Sequence, residues 1–323
     1  MALASEDDFL ALIQKHFPES SGHVQLGRGD DCAVLNFPPT ACMSVDIFLE
    51  DIHFRRSYFS PRDIGYKALA VNVSDIYGMG AKPLGFCLGL SGPLHKDEPY
   101  WDDLLAGMSA FAREAGVVLV GGDLSRSDKT GLCITIWGEE YPDGRFMRRG
   151  NTQVGDVLFV AGDIGLARAG LLSLEKEGNG AVQKYPDAVR AHLRPRLSPD
   201  AARDLSCMSA VRGLMDVSDG LVRDVPRFMA QGQGADFCLA ESALSGDVLR
   251  YCKNRQCDPV EFALLGGEDY SLLGACSPGV WEDVKQSISG LLQVGVVTEI
   301  PGLYIKGKPM ERQGFDHFTE TSK

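Results

Sequence analysis

The sequence predicts a two-domain protein of the α/β or α+β class. Three observations carry this. The chain has 323 residues, against about 150 per domain. Strand-like and helix-like stretches are mixed in both halves, and the pattern restarts after the polar stretch 148–155. In order, residues 6–17 read as an amphipathic helix with Phe9, Leu10, Leu12, Ile13 and Phe17 on roughly one side. Residues 42–47 form a short strand carrying Asp46 at its end. Residues 61–77 form a helix with Pro61 in its first turn and Gly78 and Gly80 closing it. A strand follows at 84–90, a helix at 97–114, a buried strand at 117–120 ending in Gly121-Gly122-Asp123, and a strand at 132–138. The second half gives a strand at 156–161, a helix at 166–177, helices between 185 and 210, and a helix after the segment 216–220. Its later strands are 236–239, 270–274 and 291–297. The expected domains are 1–149 and 150–323.

Composition narrows the class. Hydrophobic residues make up 44% and charged residues 24%, as in ordinary globular proteins. No apolar run is long enough to span a membrane. The first ten residues carry Glu6, Asp7 and Asp8 and do not pattern as a signal peptide, so a cytoplasmic location is expected. The formal charge is -12, and no dense basic run exists beyond Arg148-Arg149. This argues against nucleic acid as partner. Nine cysteines without a C-x-x-C fit reduced, mostly buried thiols rather than a zinc ribbon or redox pair.

One apparent nucleotide motif fails. Gly302 to Lys308 satisfies G-x-x-x-x-G-K, but Pro309 stands where a metal-binding Ser or Thr should, and no helix pattern begins there. The informative signal is aspartate beside apolar segments: Asp30-Asp31, Asp46, Asp75, Asp123, Asp216 and Asp219. Such residues are usually caps or turn residues, yet Asp75 sits inside a helical pattern. An isolated buried carboxylate is costly unless a cation or donors compensate. Several such sites point to a converging carboxylate cage. Oxygen ligands without a His or Cys cluster favour Mg²⁺, and the natural chemistry is then metal-assisted phosphoryl transfer.

Taken in order along nearly the whole chain, these segments resemble the thiamine-monophosphate kinases, within the aminoimidazole ribonucleotide synthetase-like superfamily. The resemblance rests on Gly29-Asp-Asp-Cys-Ala-Val-Leu35, Ser44-Val-Asp46 with His53-Phe54 seven residues on, and Gly65 to Asp75. It continues through Met79-Gly-Ala-Lys-Pro83, Gly121-Gly-Asp123, Arg149 ahead of Gly155-Asp156, Asp216-Val-Ser-Asp-Gly220 and Gly266-Gly-Glu-Asp-Tyr270. It implies two α/β domains, the first pairing with its twin in a homodimer and the second flanking the active-site cleft. It implies ATP-dependent phosphorylation of thiamine monophosphate by direct in-line transfer.

By the same resemblance, several Mg²⁺ ions are held by Asp31, Ser44, Val45, Asp46, Asp75, Asp123 and Asp216, with Asp219 on a further ion. At Val45 the family usually has Thr, so here only the backbone carbonyl is offered. Adjacent carboxylates in an extended segment diverge, which leaves Asp30 to hydrogen-bond structure. Gly122, Asp123, Arg149 and Ser218 match ATP contacts, and His53, Glu268 and Phe315 match positions near the thiamine phosphate. The guanidinium of Arg149 suits phosphate oxygens, Glu268 suits an aminopyrimidine donor, and Phe315 suits a cationic thiazolium ring. The alternatives are another ATP-using member of the superfamily or a nucleotide-sensing protein without turnover. The first is disfavoured by the lack of a cysteine in residues 1–31 and by the C-terminal Glu320-Thr-Ser-Lys323.

Overall fold

The computed structural model describes residues 5–18, 21–93 and 98–310. Contacts divide the chain into two units. The first holds residues 1–76 and 82–140, and the second holds 77–81 and the remainder from Tyr141, ahead of the expected break after 149.

The first unit runs α1 (Glu6–His16), β1 (Val24–Leu26), β2 (Val34–Leu35), β3 (Cys42–Leu49), α2 (Pro61–Gly78), β4 (Ala81–Gly92), α3 (Glu98–Ala115), β5 (Val118–Arg126) and β6 (Gly131–Glu140). Its sheet has the order β3-β6-β4-β5. Ser5 caps α1 by accepting the Asp8 amide, with Glu6, Asp7 and Asp8 in the first turn where the helix dipole favours them. Helix α2 is apolar nearly all round. Within 67–78 every residue is buried except Asp75, so the polar exception occupies the one window in a helix otherwise enclosed. Strand β5 is longer than expected and takes Gly121, Gly122 and Asp123 into its interior, paired in parallel with β4. Gly122 is required by that pairing: a Cβ there would lie 1.9 Å from the carbonyl oxygen of Leu88. The short β1-β2 pair, not expected from the sequence, brings Val24 and Leu35 against Leu84, Val120 and Trp137.

The second unit runs β7 (Val157–Ala161), α4 (Leu166–Glu177), α5 (Ala181–Lys184), α6 (Pro186–Leu193), α7 (Pro199–Cys207), β8 (Val211–Asp216), α8 (Leu221–Phe228), β9 (Gly234–Phe237), α9 (Gly246–Arg255) and α10 (Pro259–Leu264). It continues β10 (Leu272–Cys276), α11 (Trp281–Ser287), β11 (Leu291–Thr298), β12 (Gly302–Ile305) and β13 (Lys308–Pro309). The seven strands are ordered β13-β12-β9-β11-β7-β10-β8. Gly302 to Pro309 is a hairpin, which removes the last ground for a phosphate loop there. The central strands are continuous apolar runs because both faces are covered; Leu158, Val160, Leu214 and Leu273 are each 0% exposed. Leu272 pairs with Asp216 on one side and Ala161 on the other. The chain leaving β7, leaving β8 and entering β10 therefore meets at one end of the sheet.

Candidate active site

In the first unit the two-residue period of β3 sorts the predicted residues. Ser44 and Asp46 share the half-buried face, while Met43, Val45 and Ile47 are 69%, 53% and 53% exposed on the other. The Ser44 hydroxyl donates to Asp75 Oδ2 across from α2. Burial pushes the Asp46 carboxyl up to about 6, reinforced by the charge of Asp75 and a hydrogen bond with it. Two carboxylates and a hydroxyl thus crowd together, an all-oxygen donor set that suits a hard cation. Val45 points its side chain away from them, so its backbone is what it offers this face.

Other predicted ligands stand differently. Asp123 is exposed on β5 and accepts from the Ser125 hydroxyl at 3.0 Å. It lines a cavity of about 230 Å³ with Ile47, Leu49, Ser91 and Cys133. Asp31 is exposed, and its amide donates to Asp30 Oδ1 at 2.8 Å, the structural use expected of Asp30. Among the described residues no group of three or more His, Cys, Asp or Glu gathers in a metal-holding arrangement. The expected cage is here a Ser44–Asp46–Asp75 nucleus. His53 is half-buried beneath a ring contact with Phe48 at 5.7 Å, and its Nδ1 accepts the Leu49 amide at 3.0 Å. In the neutral ring that places the proton on Nε2.

In the second unit, Asp216 ends β8 and is buried. Segments 216–220 and 266–270 are laced together: the Glu268 amide donates to the Ser218 carbonyl (2.8 Å) and the Tyr270 amide to the Val217 carbonyl (2.9 Å). A residue expected at the nucleotide and one expected at the acceptor thus share one backbone hydrogen bond. Asp219 is paired with Arg227 at 2.5 Å, so a cation there would compete with a guanidinium. Arg149 is exposed and has no ion-pair partner among the described residues. Phe315 lies outside the described residues.

Three residues had no role assigned in the sequence reading, Asp269 among them although it lies in the Gly266 to Tyr270 motif. Asp269 accepts from the Gly165 and Ala167 amides at 2.6 and 3.0 Å, at the N-terminus of α4. Burial pushes its carboxyl up to about 8, against the pull of those two amides. Asp224, 0% exposed, accepts the Asp219 amide at 2.9 Å and meets Arg227 at 3.3 Å. His192 on α6 lies with Nδ1 3.0 Å from Glu268 Oε2. A capping aspartate has a readable signature only when it precedes its own helix; Asp269 caps a helix a hundred residues upstream, and His192 is a lone histidine in its segment.

The family described as AIR synthase related protein, N-terminal domain, matches residues 29–139. Thiamine-monophosphate kinase of Aquifex aeolicus is 32% identical over 295 residues, covering 90% of this chain and 92% of that protein. The Bacillus subtilis thiamine-monophosphate kinase is 32% identical over 329 residues, covering 96% and 99%. Among solved structures, AaThiL complexed with AMPPCP and TMP has a TM-score of 0.77 at 28% identity, covering 98% of this chain and 99% of that one. The chain belongs to the thiamine-monophosphate kinase family.

Proposed function

We propose that the reaction proceeds by direct in-line attack of the acceptor's own phosphate oxygen on the γ-phosphate of ATP, with Mg²⁺ as the metal. The activity is ATP-dependent phosphorylation of thiamine monophosphate to thiamine diphosphate, in keeping with full-length relatives of that name and the neighbour holding AMPPCP and TMP. The observation that carries the metal-assisted reading is the crowding of Asp46 and Asp75 beside Ser44. Two such carboxyls sit side by side most readily when one is protonated or a cation lies between them. Mg²⁺ bound there would offset phosphate charge as transfer proceeds. Ser44, Asp46 and Asp75 are its assigned holders, with Asp31, Asp123, Asp216, Asp219 and the Val45 carbonyl in the wider set.

The protein's remaining work is to bind and orient. Gly122, Asp123, Arg149 and Ser218 are assigned to ATP, the exposed Arg149 guanidinium giving a forked contact to phosphate. His53 is assigned to the acceptor phosphate through Nε2–H, Glu268 to its amino group, and Phe315 to its ring. A homodimer belongs to the proposal as well. Met43, Val45, Ile47 and Leu49 expose an apolar row along β3, the kind of surface that a second copy covers. No helix of the described residues is long and apolar enough to cross a membrane, and use of ATP fits the cytoplasmic location included here.

The test is ADP release by the purified protein with Mg²⁺ and a panel of acceptors. Thiamine monophosphate should support turnover and unphosphorylated thiamine should not, because its hydroxyl would reach neither the γ-phosphate nor the metal-holding carboxylates. Incubation with γ-labelled ATP alone should leave the protein unlabelled. Comparable turnover of thiamine, or a chaseable label on the protein, would overturn the acceptor assignment or the direct transfer respectively.

A further inference from the structure

We propose that His192 is a positioning residue for the acceptor, acting through Glu268. The proposal rests on the reading of Glu268 as the acceptor's amino-group contact. The imidazole is 1% exposed, and its Nδ1 lies 3.0 Å from Glu268 Oε2. Glu268 itself stands on a turn with φ +64, in an acidic corner where its charge and that of Asp163 both press on Asp269. A long carboxylate among like charges gains a defined position from a hydrogen-bond donor fixed beside it. A buried ring N–H is such a donor and selects one pose.

The frame behind the ring is rigid. Helices α4 and α6 cross so closely at Gly170 that a Cβ there would lie 2.0 Å from the Ala188 carbonyl and 3.0 Å from His192 Cβ. The first turn of α6 is pinned by Asp247 Oδ2, which accepts the Asp187 and Ala188 amides at 2.9 and 3.1 Å. The N-terminus of α4 is capped by Asp269, the neighbour of Glu268. The imidazole is therefore carried by α6, and the residue next to the carboxylate is bound to the start of α4, the helix packed against α6. That precision is what a recognition group needs and a merely space-filling histidine does not. A carboxylate has about four acceptor lone pairs, so contact at Oε2 does not exhaust its capacity for an amine of the acceptor.

The experiment is a double-mutant cycle on the full chain, measuring kcat, KM for thiamine monophosphate, KM for ATP and melting temperature. Glu268→Ala should raise KM for thiamine monophosphate, and His192→Leu should raise it by roughly tenfold, the scale of a hydrogen bond to a charged group. KM for ATP and kcat should stay within about twofold. His192→Asn, whose amide nitrogen falls near the Nδ1 position, should recover most of the loss. In the Glu268→Ala background, His192→Leu should add nothing.

Unchanged KM in His192→Leu, or effects that multiply in the double mutant, would overturn the positioning role while leaving Glu268 at the acceptor. Unchanged KM in Glu268→Ala would overturn the acceptor reading itself, and this proposal with it. If His192→Leu is too unstable to assay, His192→Gln replaces it in the cycle. It keeps a polar group near Nε2 and lacks the donor at Nδ1, so the same outcomes decide.

Discussion

The two units hold their carboxylates on opposite terms. In the first, Asp46 and Asp75 face each other, the Ser44 hydroxyl donates to Asp75, and burial with the charge of Asp75 drives Asp46 up to about 6. In the second, Asp269 takes two backbone amides and Asp219 a guanidinium, while Asp224 takes an amide and the same guanidinium. Aspartates beside apolar segments look alike in sequence. Burial raises carboxyls in both units, Asp224 to about 6 and Asp269 to about 8, so the difference is the kind of partner each one meets. A carboxyl bound to backbone amides builds architecture, whereas one set against a second carboxylate suits a cation from outside.

The sharpest way to break this contrast is Asp75→Asn. Turnover per folded molecule should fall by roughly 10²-fold or more, the scale for losing a catalytic electrostatic contact. The melting temperature should hold or rise, because a like-charge repulsion is gone. Mg²⁺ should raise the wild-type melting temperature by preferential binding to the folded state, and that gain should shrink in the variant. A variant that melts early while keeping normal turnover would make Asp75 architectural after all.

Asp269→Ala is the converse. Two amides at the start of α4 lose their acceptor, so stability should drop by roughly 1–3 kcal/mol, while saturating kcat stays within a few-fold and the Mg²⁺-dependent gain is intact. Denaturant melts alongside saturated turnover check both halves. A collapse of kcat in well-folded protein would erase the distinction between the units.

A subtler effect should follow from pH. An unfolded aspartate loses its proton near pH 4, whereas Asp269 in the folded chain keeps it to about 8. The folded state thus binds the extra proton in between. Stability from this group is complete below about pH 4 and is lost as pH climbs through 8. Asp269→Asn has no such group, so its stability relative to wild type should rise between about pH 5 and pH 9. A constant difference would mean that the two amides keep the carboxylate ionised throughout. The smallest change expected is Val45→Thr. Its side chain leaves the opposite face of β3 from Ser44 and Asp46, so kcat and KM should move by no more than about twofold, within the range of ordinary surface substitutions.

How much of this was legible beforehand depended on how local each signal was. Helix α4 matched its expected span, and Asp75 stood out as polar within an apolar helix. The alternation of β3 contained the answer to Val45, since neighbours in a strand face opposite ways. Strand β5 extended past its expected end because glycine at 122 reads locally as a turn, whereas here it admits the β4 backbone. Asp269 and His192 were illegible for the same reason. Their partners Gly165, Ala167 and Glu268 lie far away in sequence, and a residue's role as cap or support depends on what tertiary packing brings to it.

The turn that carries Glu268 has one further consequence. Glu268 and Tyr270 adopt φ of +64 and +51, conformations that cost an L-residue about 1–2 kcal/mol and glycine almost nothing. The backbone alone therefore prefers glycine at both places. Directed evolution for heat resistance, run without an activity screen, should be drawn toward glycine at these two positions and away from catalytic competence. Durability and turnover would part company at this turn first.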